Sequence, residues 1–301
     1  MRIRLLGTAA GGGFPQWNCG CVNCCLARAE PARAWPRSQC GAAVSADGRR
    51  WFLLNASPDL PAQIQAFPPL LPDGVRRGTA VEGILLTSAD LDCTLGLLLL
   101  REGERLTVHA PAAVRQAVNV GLRIDRVLAC YCGVEWRLPP AEPAPLLDRR
   151  SEPTGIRYAA FPVPGQPPRY HTAGEGGGVG YRFVDERSGA RLVFLPGVAE
   201  WTESIQAQVQ DCDALLLDGT FWAEDEMQRL DVGSRTASAM GHLPVGGPHG
   251  SLMRIAALRI PHRIYVHVNN TNPLLIEDSP ERRAVEAVGA MVGWDGLELS
   301  L

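Results

Sequence analysis

Short apolar runs alternate along the chain with segments rich in glycine, proline and charged residues, a pattern typical of an α/β protein. The runs that predict strands lie at 2–9, 41–47, 50–57, 83–87, 105–110, 157–163, 178–185, 190–196, 214–218 and 263–268. The predicted helices lie near 61–67, 95–100, 200–209, 222–230, 250–258 and 280–289, with a further one from Pro111. Strand pairs followed by helices in both halves predict two αβ layers, packed sheet on sheet with helices outside.

Turn residues interrupt this pattern at three places. The dipeptide Asp47-Gly48 joins two strand-like runs and therefore predicts a β-hairpin. Residues 137–155 are rich in proline and charge, which favours a linker between two parts of the chain. After the last predicted helix, the remaining residues are expected to form a final hairpin.

The overall composition excludes several classes of partner. With 29 basic and 32 acidic residues the net charge is only -3, so no field would recruit nucleic acid or an anionic membrane. The longest apolar run, near 95–100, is too short to cross a bilayer, and residues 1–13 make no convincing signal peptide. These features predict a cytoplasmic protein that acts on a small molecule or a peptide.

Four of the nine cysteines lie within seven residues, in the segment WNCGCVNCC. In a cytoplasmic chain, Cys19, Cys21 and Cys24 have the CxCxxC spacing with which thiolates reach one tetrahedral zinc ion. Buried thiols without a metal are the alternative interpretation. The fourth zinc donor must come from elsewhere or from Cys25, whose adjacency to Cys24 makes shared ligation awkward.

The segment LLTSADLDCTLGLLLLRE places Asp90, Asp92 and Cys93 between two apolar elements. Neighbouring carboxylates are unfavourable unless a cation lies between them, which makes a metal site one interpretation. Helix capping is the other, with Asp92 accepting hydrogen bonds from the first amides of the leucine-rich helix.

Polar residues at the ends of two later strands favour the metal interpretation. Asp218 ends one wholly apolar run and His267 ends another. Polar residues are uncommon at the ends of such buried runs, so a functional role is favoured. Carboxylates and an imidazole at the mouths of strands that run in parallel make a hard, oxygen-rich metal site. His242, in the segment MGHLPVGG, is a candidate acid, base or ligand, and a surface histidine is the alternative.

The chain resembles the metallo-β-lactamase fold superfamily, whose metal motif HxHxDH falls at the segment from Thr87 to Cys93. Ser88, Asp90, Asp92 and Cys93 stand at the four ligand positions of that motif, and Asp92 alone is the usual residue. His267 stands at the last motif of the superfamily. The resemblance implies an α/β fold of the metallo-β-lactamase αββα type. It also implies one domain over 1–301, with a cysteine-rich zinc loop at about 17–26.

Within that superfamily the sequence is similar to the pyrroloquinoline quinone (PQQ) biosynthesis protein B family over essentially its whole length. The motifs that carry this resemblance are GTAAGGGFPQWNCGCVNC, WFLLNASPDL, DLDCTLGLLLLRE, LLLDGTF, MGHLP and HVNNTNPLLIEDSPERRAVEAVG. One departure concerns the metal site, because Cys93 stands where the family usually has histidine.

The family resemblance implies an iron-dependent oxygenase of PQQ biosynthesis. Its substrate would be a glutamate-tyrosine dipeptide cut from a precursor peptide, and the reaction would hydroxylate the tyrosine ring. Other proteins of the PQQ pathway are then possible partners. Two alternatives stay open: a carrier that transports the finished cofactor, and a metal-dependent hydrolase.

The resemblance also implies a role for each candidate residue. Asp90, Asp92 and His267 would hold one Fe(II), with Cys93 as a further candidate ligand. Asp218 and His242 would ligate the metal or move protons, and both are predicted as catalytic residues. The structural zinc would be held by the three cysteines of the CxCxxC segment, and Asn270 is a candidate fourth donor.

Overall fold

The computed structural model describes residues 1–171 and 176–301, and the following elements lie within those ranges. The strands are β1 (Arg2–Gly7), β2 (Gly41–Ser45), β3 (Trp51–Leu54), β4 (Val81–Leu85), β5 (Leu106–His109), β6 (Val134–Arg137), β7 (Ala144–Leu147), β8 (Pro153–Val163), β9 (Gly178–Asp185), β10 (Arg191–Leu195), β11 (Ala214–Asp218), β12 (His262–Val266), β13 (Met291–Val292) and β14 (Glu298–Ser300). The α-helices are α1 (Val22–Ala29), α2 (Leu60–Gln65), α3 (Leu91–Thr94), α4 (Gly96–Leu99), α5 (Ala112–Gln116), α6 (Ile124–Leu128), α7 (Glu203–Val209), α8 (Glu226–Arg229), α9 (Ser251–Ala256) and α10 (Pro280–Ala287). None of these helices combines the length and the apolar character that crossing a bilayer requires.

The contacts of the chain group it into two compact units. The first unit comprises residues 1–7, 41–191 and 296–301, and the second comprises residues 8–40 and 192–295. The expectation of one domain over 1–301 stays a prediction.

The first unit contains a seven-stranded sheet in the order β14-β1-β2-β3-β4-β5-β6. Strands β3 to β6 are parallel neighbours, so their carboxyl ends lie at the same edge of the sheet. Buried apolar side chains of these strands pack against the helices that follow them, with Trp51, Leu53, Ile84 and Val108 in one core. The predicted hairpin at Asp47-Gly48 is confirmed, because β2 and β3 pair in antiparallel register across it.

Two sequence predictions for the first unit are wrong in detail. Residues 137–155, expected to be a linker, contain β7 and the start of β8, which pair with each other. Proline is tolerated there because Pro145 lies in a strand whose pairing within this unit is with β8 alone. The leucine-rich helix is two short helices, α3 and α4, and it begins earlier than expected, at Leu91.

The second unit contains the parallel strands β10, from Leu192 onward, to β13. The run Ala214–Asp218 is wholly buried, as expected for a central parallel strand with both faces covered. Because β11 and β12 run in parallel, with Asp218 opposite Val266, the polar residues that follow them emerge at the same edge. The predicted final hairpin is wrong, since β13 pairs with β12 and β14 pairs with β1.

Candidate metal centres

Three of the predicted zinc ligands lie together in the second unit. The sulfur atoms of Cys19, Cys21 and Cys24 are all within 4.8 Å of one another, and we name this group the thiol cluster. Cys21 is the residue before the first turn of α1, and Cys24 is in that turn, so the start of the helix fixes the spacing of the two sulfurs. The arrangement fits three corners of a tetrahedral zinc site.

Backbone and arginine contacts hold the loop that carries the thiol cluster. Arg28 donates from Nη1 to the carbonyl of Cys19 at 2.7 Å and from Nη2 to the carbonyl of Gln16 at 2.6 Å. The amide of Gln16 donates to the sulfur of Cys24, and the amide of Cys21 to the sulfur of Cys19, each at 3.4 Å. Donors of this kind stabilise thiolates, the form in which cysteine binds a metal.

Asn270, the candidate fourth donor, lies against all three sulfur atoms. Its Nδ2 is 3.2 Å from the sulfur of Cys19, 3.7 Å from that of Cys21 and 3.4 Å from that of Cys24. A half-turn of the amide plane would bring Oδ1, the ligating atom of an amide, to the same place. Asn23 fixes this turn of the chain by donating to the carbonyl of Asn270 at 3.1 Å.

The environment shifts the pKa values of Cys19 and Cys21 in opposite directions. Burial acts to raise the pKa of Cys19, yet hydrogen bonds from the Cys21 amide and its other neighbours lower it. Burial raises the pKa of Cys21 to about 12, and the adjacent Cys19 and Cys24 contribute to the rise. Three thiolates at this spacing therefore require a cation among them, and the donor set suits zinc.

Cys25 does not belong to the thiol cluster. Its side chain is exposed, and the thiol donates to the carbonyl of Gly20 at 3.3 Å. None of the nine cysteines, all of which lie in the part of the chain that the structure describes, forms a disulfide.

A second group in the same unit consists of Asp218, His242 and His267, whose potential ligand atoms lie within 4.8 Å of one another. We name it the histidine cluster. Nδ1 of His242 is 2.7 Å from Oδ2 of Asp218, and the two imidazole rings stack with their centroids 5.4 Å apart. His267 has a positive φ of 57°, a conformation that is uncommon outside glycine and concentrates at functional sites.

Thr220, which the sequence analysis did not single out, connects two members of the histidine cluster. Its hydroxyl is 2.6 Å from Oδ1 of Asp218 and 2.8 Å from Nδ1 of His267. The same hydroxyl is 2.9 Å from the backbone carbonyl of His267, so one threonine side chain contacts both the carboxylate and the histidine. The only signal in the sequence is a hydroxyl residue two positions after the aspartate, in DGT.

Asp218 holds the other histidine of the cluster, because its Oδ2 lies 2.7 Å from Nδ1 of His242. In both imidazoles Nδ1 therefore has a hydrogen-bond partner, and Nε2 is the other ring nitrogen with which histidine binds metals. The orientation of the rings by a carboxylate and a hydroxyl is the usual support of a metal-binding histidine.

Asp218 stays ionised although it is buried. Burial acts to raise its pKa, but His242, His267 and Thr220 outweigh burial and lower the pKa below its usual range. Its oxygens also accept from the backbone amides of Val198 and Thr220, at 2.9 and 3.0 Å. The negative charge of Asp218 therefore interacts favourably with the two imidazoles.

The carboxylate loop, residues 87–93, lies in the first unit after β4. Ser88 connects its members, because its hydroxyl is 2.8 Å from Oδ2 of Asp90 and 3.5 Å from the sulfur of Cys93. Asp90 is exposed and directly precedes α3, while Asp92 is partly buried in the first turn of that helix. Metal binding by these residues stays a prediction, as does their grouping with His267.

Comparison with known proteins agrees with the fold. The model of the beta-lactamase superfamily domain matches residues 50–268. The coenzyme PQQ synthesis protein B of Methylobacterium radiotolerans is 43% identical, with 100% of both chains covered. The chain belongs to the coenzyme PQQ synthesis protein B family. The family member from Azoarcus sp. is 42% identical, also over 100% of both chains.

A solved structure of the same family confirms the fold class. The crystal structure of Zn(2+)-bound PqqB from Methylobacterium extorquens is 41% identical, with 100% of both chains covered and a TM-score of 0.90. The predicted metallo-β-lactamase-like α/β fold is therefore confirmed. A diphosphatase of the PhnP family, 18% identical with a TM-score of 0.68, shares the fold alone.

Proposed function

We propose that this protein takes part in PQQ biosynthesis as a non-haem, Fe(II)-dependent hydroxylase. Its substrate would be a glutamate-tyrosine dipeptide, and the reaction would add one oxygen atom from O2 to the tyrosine ring. The second oxygen atom would leave as water, with two electrons from an external reductant and two protons. Membership of the coenzyme PQQ synthesis protein B family supports the pathway. The reaction, the iron and the cytoplasmic location are parts of the proposal.

The observation that carries the enzymatic part is the hydrogen bonding of the histidine cluster. Asp218 lies 2.7 Å from Nδ1 of His242, and Thr220 lies 2.8 Å from Nδ1 of His267, so a carboxylate and a hydroxyl orient the two rings. A carrier protein needs no such pair of nitrogens. Carboxylate and imidazole donors are the set that non-haem Fe(II) oxygenases use.

The residues of the site would have different roles in the proposed reaction. When bound, Fe(II) would supply the activation of dioxygen. Nε2 of His267 would hold the metal together with Asp90 and Asp92. Nε2 of His242 would take up the proton that the ring loses on hydroxylation. The carboxylate of Asp218, 2.7 Å from Nδ1 of His242, would stabilise the resulting imidazolium.

The test is oxygen uptake measured with the glutamate-tyrosine dipeptide, a two-electron reductant and protein reconstituted with Fe(II). We expect oxygen consumption matched by a product that is heavier by one oxygen atom. His267→Ala should abolish both, because it removes a supported metal donor. His249→Ala, which changes an exposed histidine outside the cluster, is the matched control and should keep both.

Two results would contradict the proposal and favour another function. Cleavage of the dipeptide without oxygen uptake would show a metal-dependent hydrolase. Binding of PQQ, with neither cleavage nor oxygen uptake in the presence of the dipeptide, would show a carrier.

A further inference from the structure

The first unit contains a cleft of about 380 Å³ that has no part in the chemistry above. It lies beyond the carboxyl ends of β5 and β6, and its lining includes Ala110, Arg115, Asn119, Trp136 and Leu138. Strand β6 is the last strand of the seven-stranded sheet. The volume of the cleft falls in the range of small-molecule sites. In open α/β sheets, ligands bind beyond the carboxyl ends of the strands, which is where this cleft lies.

Two polar atoms of the cleft residues have unmet hydrogen-bonding capacity. Oδ1 of Asn119, an acceptor, and Nε1 of Trp136, a donor, are both buried without a hydrogen-bond partner. A buried polar group without a partner destabilises the fold, so two such groups among the residues of one cleft need an explanation. A ligand with one N–H and one acceptor oxygen would satisfy both atoms.

Arginine adds positive charge to the same cleft. The guanidinium of Arg115 is exposed and lies over the ring of Trp136, 5.9 Å from its centroid. Arg137, the other arginine of the lining, is neutralised by Glu135, whose Oε1 is 2.8 Å from its Nε. The charge of Arg115 is therefore the one available to an anionic ligand.

We propose that this cleft binds a small ligand in which a carboxylate stands next to an N–H, as in a free amino acid or the carboxyl end of a peptide. The carboxylate would accept from Nε1 of Trp136 and pair with Arg115, while the N–H would donate to Oδ1 of Asn119. Because both unpaired atoms are closed to solvent, binding must move a covering side chain. Arg115 and Gln116, both exposed, are the lining side chains free to swing aside.

The test is calorimetric titration of the purified protein with three probes: L-tyrosine, the glutamate-tyrosine dipeptide and the same dipeptide with an amidated carboxyl end. Oxygen is excluded, so the result does not depend on the proposed hydroxylation. We expect L-tyrosine and the free dipeptide to bind, and the amide to bind at least about tenfold more weakly. If L-tyrosine fails and the dipeptide binds, the site takes peptide ends only.

Variants locate that binding in the cleft. Trp136→Phe removes the donor and keeps the ring, and Asn119→Leu removes the acceptor at similar volume; each should weaken binding about tenfold. Arg115→Met should do the same. Arg101→Met is the matched control, because Arg101 is exposed over Tyr131 at 5.8 Å, away from the cleft, and it should bind like the parent. Melting temperatures of all variants check that each is folded.

Two outcomes overturn the inference. The first is that none of the three probes binds at millimolar concentration, which would mean that the cleft holds only water. The second is that the cleft variants bind like the parent while His267→Ala loses binding, which would assign all binding to the histidine cluster.

Discussion

The hydroxyl of Thr220 lies 2.8 Å from Nδ1 of His267 and so orients that ring. Thr220→Val removes this hydrogen-bond partner while keeping the shape of the side chain. We expect the affinity of the histidine cluster for Fe(II) to fall about 10- to 100-fold, the usual effect of losing the partner that orients a metal-binding histidine. Thr220→Ser keeps the hydroxyl and should bind like the parent. Metal titration decides, and equal affinity of the valine variant would remove Thr220 from this role.

The thiol cluster should hold one zinc ion that stabilises the fold. Changing Cys19, Cys21 and Cys24 together to serine removes the soft ligands, so zinc content should fall by one ion per chain and the free energy of unfolding by several kcal/mol. Cys25→Ser is the matched control, since its thiol points to the carbonyl of Gly20. Elemental analysis and thermal melting measure both quantities. Unchanged zinc and stability in the triple variant would contradict the site.

Asn270 offers a finer test of the same site. Asn270→Asp replaces a neutral amide by a charged oxygen donor of the same size. One carboxylate oxygen would take the position of Nδ2, which is 3.2–3.7 Å from the three sulfur atoms. We expect zinc to bind about tenfold more tightly or better, because a carboxylate oxygen is a stronger zinc ligand than an amide. Competition with a chelator measures the change. An unchanged affinity would show that the fourth donor is another group.

Cys93 tests the predicted iron ligands of the carboxylate loop. Cys93→His restores the residue usual in the family, and a neutral imidazole adds no charge beside Asp90. We expect iron occupancy and hydroxylation to rise together, by about tenfold. Parallel iron titrations of the parent and the variant are the measurement. If affinity and turnover are both unchanged, position 93 does not contact the metal.

His109 should make the protein less stable in mild acid. Burial, with a smaller contribution from Arg137, lowers its pKa from 6.5 to about 4, and Nε2 has no hydrogen-bond partner to share a proton. As the pH falls from 6.5 to about 4, the unfolded chain takes up this proton and the folded chain does not. The contribution of His109 should therefore lower stability by up to about 3 kcal/mol across that interval and change little below it.

Denaturant unfolding as a function of pH measures this effect. His109→Gln should flatten the slope between pH 6.5 and 4, whatever its effect on absolute stability. His249→Gln, at an exposed position, should keep the slope. A parental slope in the His109 variant would assign the acid sensitivity to other groups.

The candidate residues that could be predicted from the sequence are those whose neighbours along the chain make them unusual. Asp218 and His267 stood out because each ends an apolar run, and the parallel pairing of β11 with β12 brings their ends together. Thr220 was missed, because its role depends on the turn after β11 and on a ring from another strand. Long-range pairing was missed for the same reason: nothing local shows that β13 joins β12 and β14 joins β1.

The short turn after β12 has a practical consequence for work with this protein. It carries His267 and, three residues later, Asn270, so the histidine cluster and the thiol cluster share one stretch of backbone. Peroxide or a chelator that disturbs the sulfur atoms of Cys19 and Cys24 would release Asn270 and loosen the imidazole upstream. Preparations stored in air or purified through strong chelators would then understate the metal affinity of the histidine cluster, even though none of its own residues had been oxidised.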